Sequence, residues 1–247
     1  MFSGIYRFAE QNIGITSVFD EIHQMCAAYQ TTEQPVFSVQ TDEADIAKER
    51  EKSASERAKE KLSPYEFPAP YLETLAVYRK IADRLTDYDT ILFHGSVIAV
   101  DGEGFLFTAK SGTGKSTHTR LWRELFGERA VMVNDDKPLL RIKEQGVFAY
   151  GTPWDGKHHL STNISVPLKG ICILERAAEN SILPLEKTQA FPMLIQQAHR
   201  PADPQALRKT LAWIDKIGSM VPLYRLGCNM EQTAAQVAYN GMKEGIK

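Results

Sequence analysis

Cysteine is scarce in this chain. Cys26, Cys172 and Cys228 are odd in number and far apart, and no CxxC pair occurs. That excludes a disulfide framework and a thiolate zinc site, and it fits a reducing, cytoplasmic setting. Long apolar runs are missing too: no stretch approaches the roughly 18 consecutive apolar residues of a membrane span. The opening MFSGIYRFAEQ lacks the basic region, apolar run and small-residue cleavage site of a secretory leader. No membrane partner is expected. Nor is there an excess of charge of one sign. Lys and Arg total 29 against 31 Asp and Glu, a formal charge of −2, so nothing advertises nucleic acid as a partner. Gly and Pro are at ordinary levels and no internal repeat is visible, which argues against fibrous and low-complexity classes. What is there is ordinary globular material: 247 residues, 43% hydrophobic, enough for one large domain or two small ones.

The first 40 residues read as short strands at 5–8, 13–19 and 36–39 around a helix from Asp20 to Tyr29, with Ile22, Met25, Cys26 and Tyr29 on one face. The composition then shifts. TDEADIAKEREKSASERAKEKL, residues 41–62, holds 13 charged residues, which predicts a solvated helix. A docking arm or mobile flap is the functional alternative. The prolines of SPYEFPAP end that helix, and an amphipathic helix follows at 70–86. We therefore expect a small α+β lobe over 1–88 and a second domain over 89–247.

The second part is expected to open with two strands, ILFHGSVIAV and FLFTAK, joined as an antiparallel hairpin by DGEG at 101–104. If Asp101 pairs with Gly104, paired residue numbers sum to about 205, by the hairpin geometry, and His94 falls opposite Ser111. A helix at 116–126, a strand at 130–135 and a hairpin at 138–150 come next. A polar loop, GTPWDGKHHLSTN, then leads to a strand pair at 168–175 and 181–185. Helices at 187–199, 203–217 and 231–244, with a strand at VPLYRL, close the chain, Asn229 being the expected N-cap of the last helix. Trp122, Trp154 and Trp213 are expected to pack rather than to stack on a ligand.

Residues 109–117, AKSGTGKST, have the composition of a phosphate-binding loop. Gly112 and Gly114 let the backbone N–H groups of Ser111, Thr113 and their neighbours converge on phosphate oxygens. Lys115 adds positive charge, Ser116 can ligate magnesium, and Thr117 lies in the first turn of the helix whose dipole favours an anion. Ala109 stands where the full pattern has its first glycine. The alternative is a glycine-rich turn with an incidental lysine.

MVNDD at 132–136 ends the next strand in two carboxylates. A right-handed crossover would put that strand beside the loop strand, with Asp135 and Asp136 facing the phosphates. One carboxylate could hold Mg²⁺ and the other orient or deprotonate a hydroxyl; the alternative is that both cap a turn before Lys137 and Pro138. His94 could contact the transferred group or be structural. Lys157 could neutralise phosphate charge or be a solvated loop lysine. His158 and His159 are adjacent and would point opposite ways, so no zinc site is expected.

FHGSVIAV at 93–100, FTAKSGTGKST at 107–117 and VNDD at 133–136, in that order, resemble the HPr kinase/phosphorylase and phosphoenolpyruvate carboxykinase superfamily. SGTGK looks like the carboxykinase version of the loop. The chain is most similar to bacterial HPr-kinase-like proteins, a group that includes kinases acting on peptides and on small hydroxyl compounds. The resemblance implies an α/β fold with α+β character, in which a mixed sheet feeds a hairpin into a P-loop and helix. It also implies that Asp135 is the acid or base toward a hydroxyl, that Asp136 and Ser116 hold magnesium, that Lys115 binds the β and γ phosphates, and that His94 lies close to the transfer site. The expected function is a kinase using ATP and Mg²⁺ to phosphorylate a hydroxyl of a protein, peptide or small molecule, with self-association left open. The alternative is a nucleotide-binding sensor or assembly protein with little turnover, using 41–62 as its arm.

Overall fold

The computed structural model describes residues 1–59 and 61–244 and divides the chain into two compact units, Met1–Arg84 and Leu85–Lys247. In the first unit, β1 (Phe2–Phe8) and β2 (Gln11–Ser17) form an antiparallel hairpin, and β3 (Phe37–Gln40) adds in parallel to β2. Tyr6, Phe8, Ile13 and Ile15 bury its core face. The helix expected over 20–29 is shorter: α1 spans Glu21–Met25, and a 3₁₀ turn at Ala27–Tyr29 carries the chain on. Ile22, Cys26 and Tyr29 are nevertheless all buried, while Met25 is only half-buried.

The charged run forms α2 (Glu43–Lys59), and α3 (Ala69–Leu85) follows the proline segment. Glu60 lies outside the described residues. One stripe of α2 is not solvated. Ile46 and Glu49 are buried, Arg79 Nε lies 2.8 Å from Glu49 Oε1, and Lys80 Nζ donates to Asp45 Oδ2 at 2.6 Å. Charge pairs to α3, rather than pairs four apart along α2 alone, fix this helix.

The second unit is built on a mixed sheet. Its strands are β4 (Thr90–Leu92), β5 (Ser96–Val100), β6 (Glu103–Thr108), β7 (Ala130–Asn134), β8 (Leu139–Lys143), β9 (Gly146–Tyr150), β10 (Ser165–Arg176), β11 (Ser181–Pro184) and β12 (Leu223–Cys228). Its helices are α4 (Lys115–Phe126), α5 (Lys187–Gln197), α6 (Pro204–Met220) and α7 (Thr233–Glu244). The strand order runs β4-β8-β9-β10-β6-β5-β7, and β12 pairs with β10 and β11. β10 organises the sheet: residues 165–167 run antiparallel to β9, while later residues pair in parallel with β6 and with β12.

Alternation along the central strands sorts the core into two layers. Val97, Ala99, Leu106, Ile171 and Ile173 join Ala190, Leu194, Ile214 and Ile217 of α5 and α6. Ile98, Val100, Phe105, Phe107, Cys172 and Leu174 join Leu121 and Trp122 of α4 and Ala234, Ala235 and Ala238 of α7. A sheet covered by helices on both faces explains why β5 is apolar at nearly every position.

Five expectations are corrected. The strand expected over 91–100 is broken at Phe93–Gly95, and its halves lie far apart in the strand order, β4 at one end and β5 beside β6. The hairpin turn is tighter than DGEG: Val100 pairs with Glu103, and Asp101 (φ 53°) and Gly102 (φ 81°) occupy the two left-handed positions of a two-residue turn. Paired numbers therefore sum to 203, as in Ser96 with Phe107. Third, β7 does not lie beside β6; β5 separates them and pairs with both. Fourth, β10 and β11 are not partners, because β12 runs between them. Last, Asn229 does not cap α7, which starts at Thr233; its Oδ1 accepts from Glu231 N in a turn ahead of the helix.

Candidate functional site

The connection from β6 to α4 is a glycine loop. Ala109 is fully buried and keeps an ordinary negative φ, so the loop leaves β6 without the left-handed residue a glycine would allow. The left-handed positions come later, at Gly112 (φ 74°) and Gly114 (φ 120°), where a side chain would be strained. Between them Thr113 turns back, its N–H and Oγ1 both donating to Lys110 O at 3.2 and 2.8 Å. Ser111 and Gly112 are exposed.

α4 starts on Gly114 with no side-chain cap and no acidic residue in its first turn. Its amino-terminal N–H groups and dipole are thus uncompensated by protein carboxylates, a setting that favours an anion. Lys115 and Thr117 are half-buried there and Ser116 is exposed. Arg176, at the end of β10, holds the loop from outside: Nη2 donates to Gly112 O at 2.6 Å and Nε to Thr113 O at 3.5 Å. Sequence reasoning missed Arg176, which follows the loop by some 60 positions and has no motif of its own.

At the end of β7, Asn134 arranges the acidic pair. Its Oδ1 accepts from Asp136 N (2.8 Å) and Lys137 N (2.6 Å), turning the chain at the acidic pair. Its Nδ2 donates to Thr152 O and Oγ1 (3.1 and 3.0 Å) and to Ser161 Oγ (3.2 Å), tying β7 to the polar loop. Asn134 is wholly buried and every polar atom of its side chain is used. The sequence signal was present in VNDD, but an Asn before two acids reads only as part of a motif.

Asp135 is 6% exposed. Ser96 Oγ donates to its Oδ1 at 2.9 Å, and among the described residues no donor reaches Oδ2. Gly156 packs against that oxygen so closely that a Cβ there would come within 2.8 Å of it. The loop carrying Lys157 therefore comes to Asp135 through the backbone of Gly156, while Lys157 itself is exposed. His158 and His159 are exposed as well, and His159 Nδ1 lies 2.9 Å from Asp155 Oδ1. Trp154 and Trp122 are buried, and Trp213, half-buried, donates to Thr86 O at 3.0 Å.

Asp136 is half-buried between two partners: Oδ1 lies 3.2 Å from His94 Nε2 and Oδ2 accepts from Lys137 Nζ at 3.0 Å. His94 does not stand opposite Ser111. It occupies the break between β4 and β5, its N–H donating to Gln197 O at 2.8 Å and its carbonyl accepting from Thr108 Oγ1 at 3.0 Å. Burial, then the Lys137 and Lys115 charges, pull the His94 pKa down to about 4 against the opposing pull of Asp136. At neutral pH the imidazole is uncharged, so its contact with Asp136 is a hydrogen bond rather than an ion pair. Burial likewise lowers the Lys115 pKa, with Asp136 and Asp135 opposing and Lys137 adding to the shift. Lys115, His94, Lys137, Asp135 and Asp136 thus share one electrostatic neighbourhood. Among the described residues no group of three or more His, Cys, Asp and Glu is gathered as a metal cluster, and no helix is long and apolar enough to cross a membrane.

No curated protein matches this chain. Among solved structures, the Hpr(Ser) kinase/phosphatase from Coxiella burnetii aligns with 62% of this chain and 97% of its own, at 11% identity and a TM-score of 0.36, a likeness too slight to argue from. A family model described as "ScmC: SynChlorMet cassette protein ScmC" matches residues 71–235. That match spans more than half of the chain and takes in the glycine loop, the acidic pair and Arg176, so the chain belongs to the ScmC family of SynChlorMet cassette proteins.

Proposed function

We propose that this protein is a phosphotransferase that moves the γ-phosphoryl group of ATP, with Mg²⁺, onto a hydroxyl of a peptide, protein or small molecule. The observation that carries the reading is the pairing of an uncapped helix start, bearing Lys115, with two carboxylates in its electrostatic neighbourhood. Backbone N–H groups of Gly112–Thr117 would take the β and γ phosphates, and Lys115 would neutralise them.

The donor set suits magnesium, which prefers hard oxygens and keeps much of its water and phosphate coordination, so that a few protein oxygens suffice. Ser116 and Asp136 would hold it, and when bound it would neutralise charge developing on the phosphates. Asp135 is the base: its Oδ2 has lone pairs to spare, while Ser96 fixes the other oxygen. The acceptor oxygen would attack the γ-phosphorus as the bond to the β-bridging oxygen breaks, and the acceptor's proton would pass to Asp135, leaving ADP and the phosphorylated product. His94, neutral, would orient Asp136 by hydrogen bonding rather than by charge. Lys157, exposed on the loop that touches Asp135, would meet the phosphates as that loop closes.

Calorimetric titration with ATP, with and without Mg²⁺, tests the reading. Binding should depend on Mg²⁺ and weaken at least tenfold in Lys115→Ala. Asp135→Asn should keep binding and lose transfer by about a thousandfold or more, the scale of an essential base. No binding at millimolar ATP would overturn the proposal. Binding without transfer by the wild-type protein to any peptide or polyol acceptor would favour the sensor reading instead.

A further inference from the structure

Asp136 and Lys137 are neighbours in sequence, and in an extended strand their side chains would point to opposite faces. Here they pair. Asn134 Oδ1 accepts from both their backbone N–H groups, and in the turn that results Lys137 Nζ donates to Asp136 Oδ2 at 3.0 Å. Lys137 keeps 21% of its side chain exposed and Asp136 33%, so water screens the pair only in part.

The two partners of Asp136 differ in freedom. His94, 3.2 Å from Oδ1, is fixed through its backbone by Gln197 O and Thr108 Oγ1, and its ring turns about two bonds only. The backbone of Lys137 is held as firmly, its N–H by Asn134 Oδ1 and its carbonyl by Thr152 Oγ1 at 2.8 Å, with Pro138 restricting it from behind. Its charge, however, stands at the end of a flexible four-carbon stem. A change of rotamer carries Nζ several ångströms while the backbone stays in place.

Charge decides when that change is favourable. The ammonium groups of Lys115 and Lys137 balance the carboxylates of Asp135 and Asp136. A bare divalent cation at Asp136 would add two positive charges to a balanced site, and it would meet the Lys137 ammonium beside the same oxygen, where like charges repel at short range. A cation that comes with a nucleoside triphosphate brings compensating charge, and the phosphates offer the displaced ammonium a new partner. Lys137 lies near enough to Lys115 for the two charges to act on each other, so phosphates bound by Lys115 fall in the same neighbourhood.

We propose that Lys137 makes magnesium binding conditional on the nucleotide: its ammonium holds Asp136 Oδ2 against a bare divalent cation and releases it when the metal comes with phosphates. The inference rests on the reading of Asp136 as a magnesium ligand and deepens it by naming the residue that regulates that ligand. Lys137 is in this account a positioning residue, distinct from the base Asp135 and the phosphate anchor Lys115.

Mn²⁺, which takes the same hard oxygen ligands as Mg²⁺, reports the competition through its electron paramagnetic resonance signal, with no nucleotide present and no turnover. Lys137→Met, of similar length and uncharged, should bind Mn²⁺ about tenfold more tightly than the wild-type protein, because the competing charge is gone. Lys137→Arg keeps the charge and should stay close to the wild-type affinity. Asp136→Asn combined with Lys137→Met should erase the gain. Mn²⁺ binding by Lys137→Met no tighter than that of the wild-type protein, or a gain that survives Asp136→Asn, would overturn the proposal. Calorimetry with ATP and Mg²⁺ separates it from the reading on which it rests: Mg²⁺-dependent ATP binding by the wild-type protein, beside an unchanged Mn²⁺ affinity in Lys137→Met, would leave the phosphotransferase standing and remove Lys137 from its regulation. Failure of the wild-type protein to bind ATP at millimolar concentration would bring down both.

Discussion

The most buried carboxylates of the two units, Glu73 in the first and Asp135 in the second, are treated differently. Glu73, on α3 of the first unit, is 1% exposed and accepts from Val18 N (2.7 Å), Phe19 N (2.8 Å) and Thr41 Oγ1 (2.6 Å). Both oxygens are occupied, and the side chain staples the end of β2 and the start of α2 to α3. Asp135, in the second unit, is nearly as buried yet among the described residues accepts one side-chain bond, from Ser96 to Oδ1, and none at Oδ2. Burial alone therefore does not distinguish Glu73 from Asp135; the number of hydrogen bonds each accepts does. A group whose hydrogen-bonding capacity is filled by its own fold has nothing left for a ligand.

The strongest way to break this comparison is to neutralise both acids. Glu73→Gln puts an amide where two backbone N–H donors need acceptors, and it should destabilise the first unit by about 2 to 4 kcal/mol. Asp135→Asn retains an acceptor for Ser96 and should change stability by no more than about 1 kcal/mol. Amide hydrogen exchange in β2 and β3 against that in β7 reads the two units separately. A larger loss at Asp135 than at Glu73 would assign Asp135 to structure. Next in size is Asn134→Ala, which takes the side-chain acceptor from Asp136 N and Lys137 N and the Asn134 donor from Thr152 O, while Thr152 Oγ1 keeps its bond to Lys137 O. It should cost about 2 to 3 kcal/mol and raise protease sensitivity in 151–163.

These outcomes bear on what was legible beforehand. Most helices and strands could be read from periodicity, and so could AKSGTGKST and VNDD, because glycine, lysine and paired acids are rare in that spacing. The break at Phe93–Gly95 could not be read, since FHGSVIAV is apolar apart from His94, Gly95 and Ser96, and a strand buried on both faces has no alternation to interrupt. The hairpin register failed by one pair of residues because both Asp-Gly and Gly104 are turn formers, and only Asp101-Gly102 supplies adjacent left-handed positions. β12 entering between β10 and β11 is a long-range pairing that no local pattern encodes. Ser96, Asn134 and Arg176 are likewise long-range partners, distinguished by geometry and not by residue type.

Acid should weaken both units, since burial lowers the His23 pKa in the first, and should weigh more on the second. His94 and His118, both in the second unit, have pKa values near 4 in the folded protein against an ordinary value of 6.5. Between those values the unfolded chain binds protons that the folded one refuses, so stability rises with pH across the window, is complete above about 6.5 and is lost on descent toward 4. For His118, almost wholly buried, the loss is about 2 to 3 kcal/mol. Urea midpoints at pH 7, 5.5 and 4.5 should fall in sequence for the second unit. His118→Gln, whose amide oxygen can still accept from Trp122, should flatten that slope. A midpoint unchanged across the window would show that neither ring is held neutral by its surroundings.

The smallest effect on stability belongs to Arg176, and it separates holding a loop from holding a fold. Its guanidinium is exposed and, among the described residues, bonds to the carbonyls of Gly112 and Thr113, so Arg176→Ala should lower global stability by less than about 1 kcal/mol. The same bonds face a segment whose glycines resist ordering, and whose own hydrogen bonds are few. Local opening there should become severalfold more frequent, visible as faster exchange of the Gly112–Lys115 amides with β6 and α4 unchanged. Because Arg176 grips carbonyls of the loop, it favours the arrangement in which the N–H groups point the other way, toward the proposed phosphate site. If Arg176→Ala leaves loop exchange as it was, the preference for that arrangement lies in the left-handed Gly112 and Gly114 themselves.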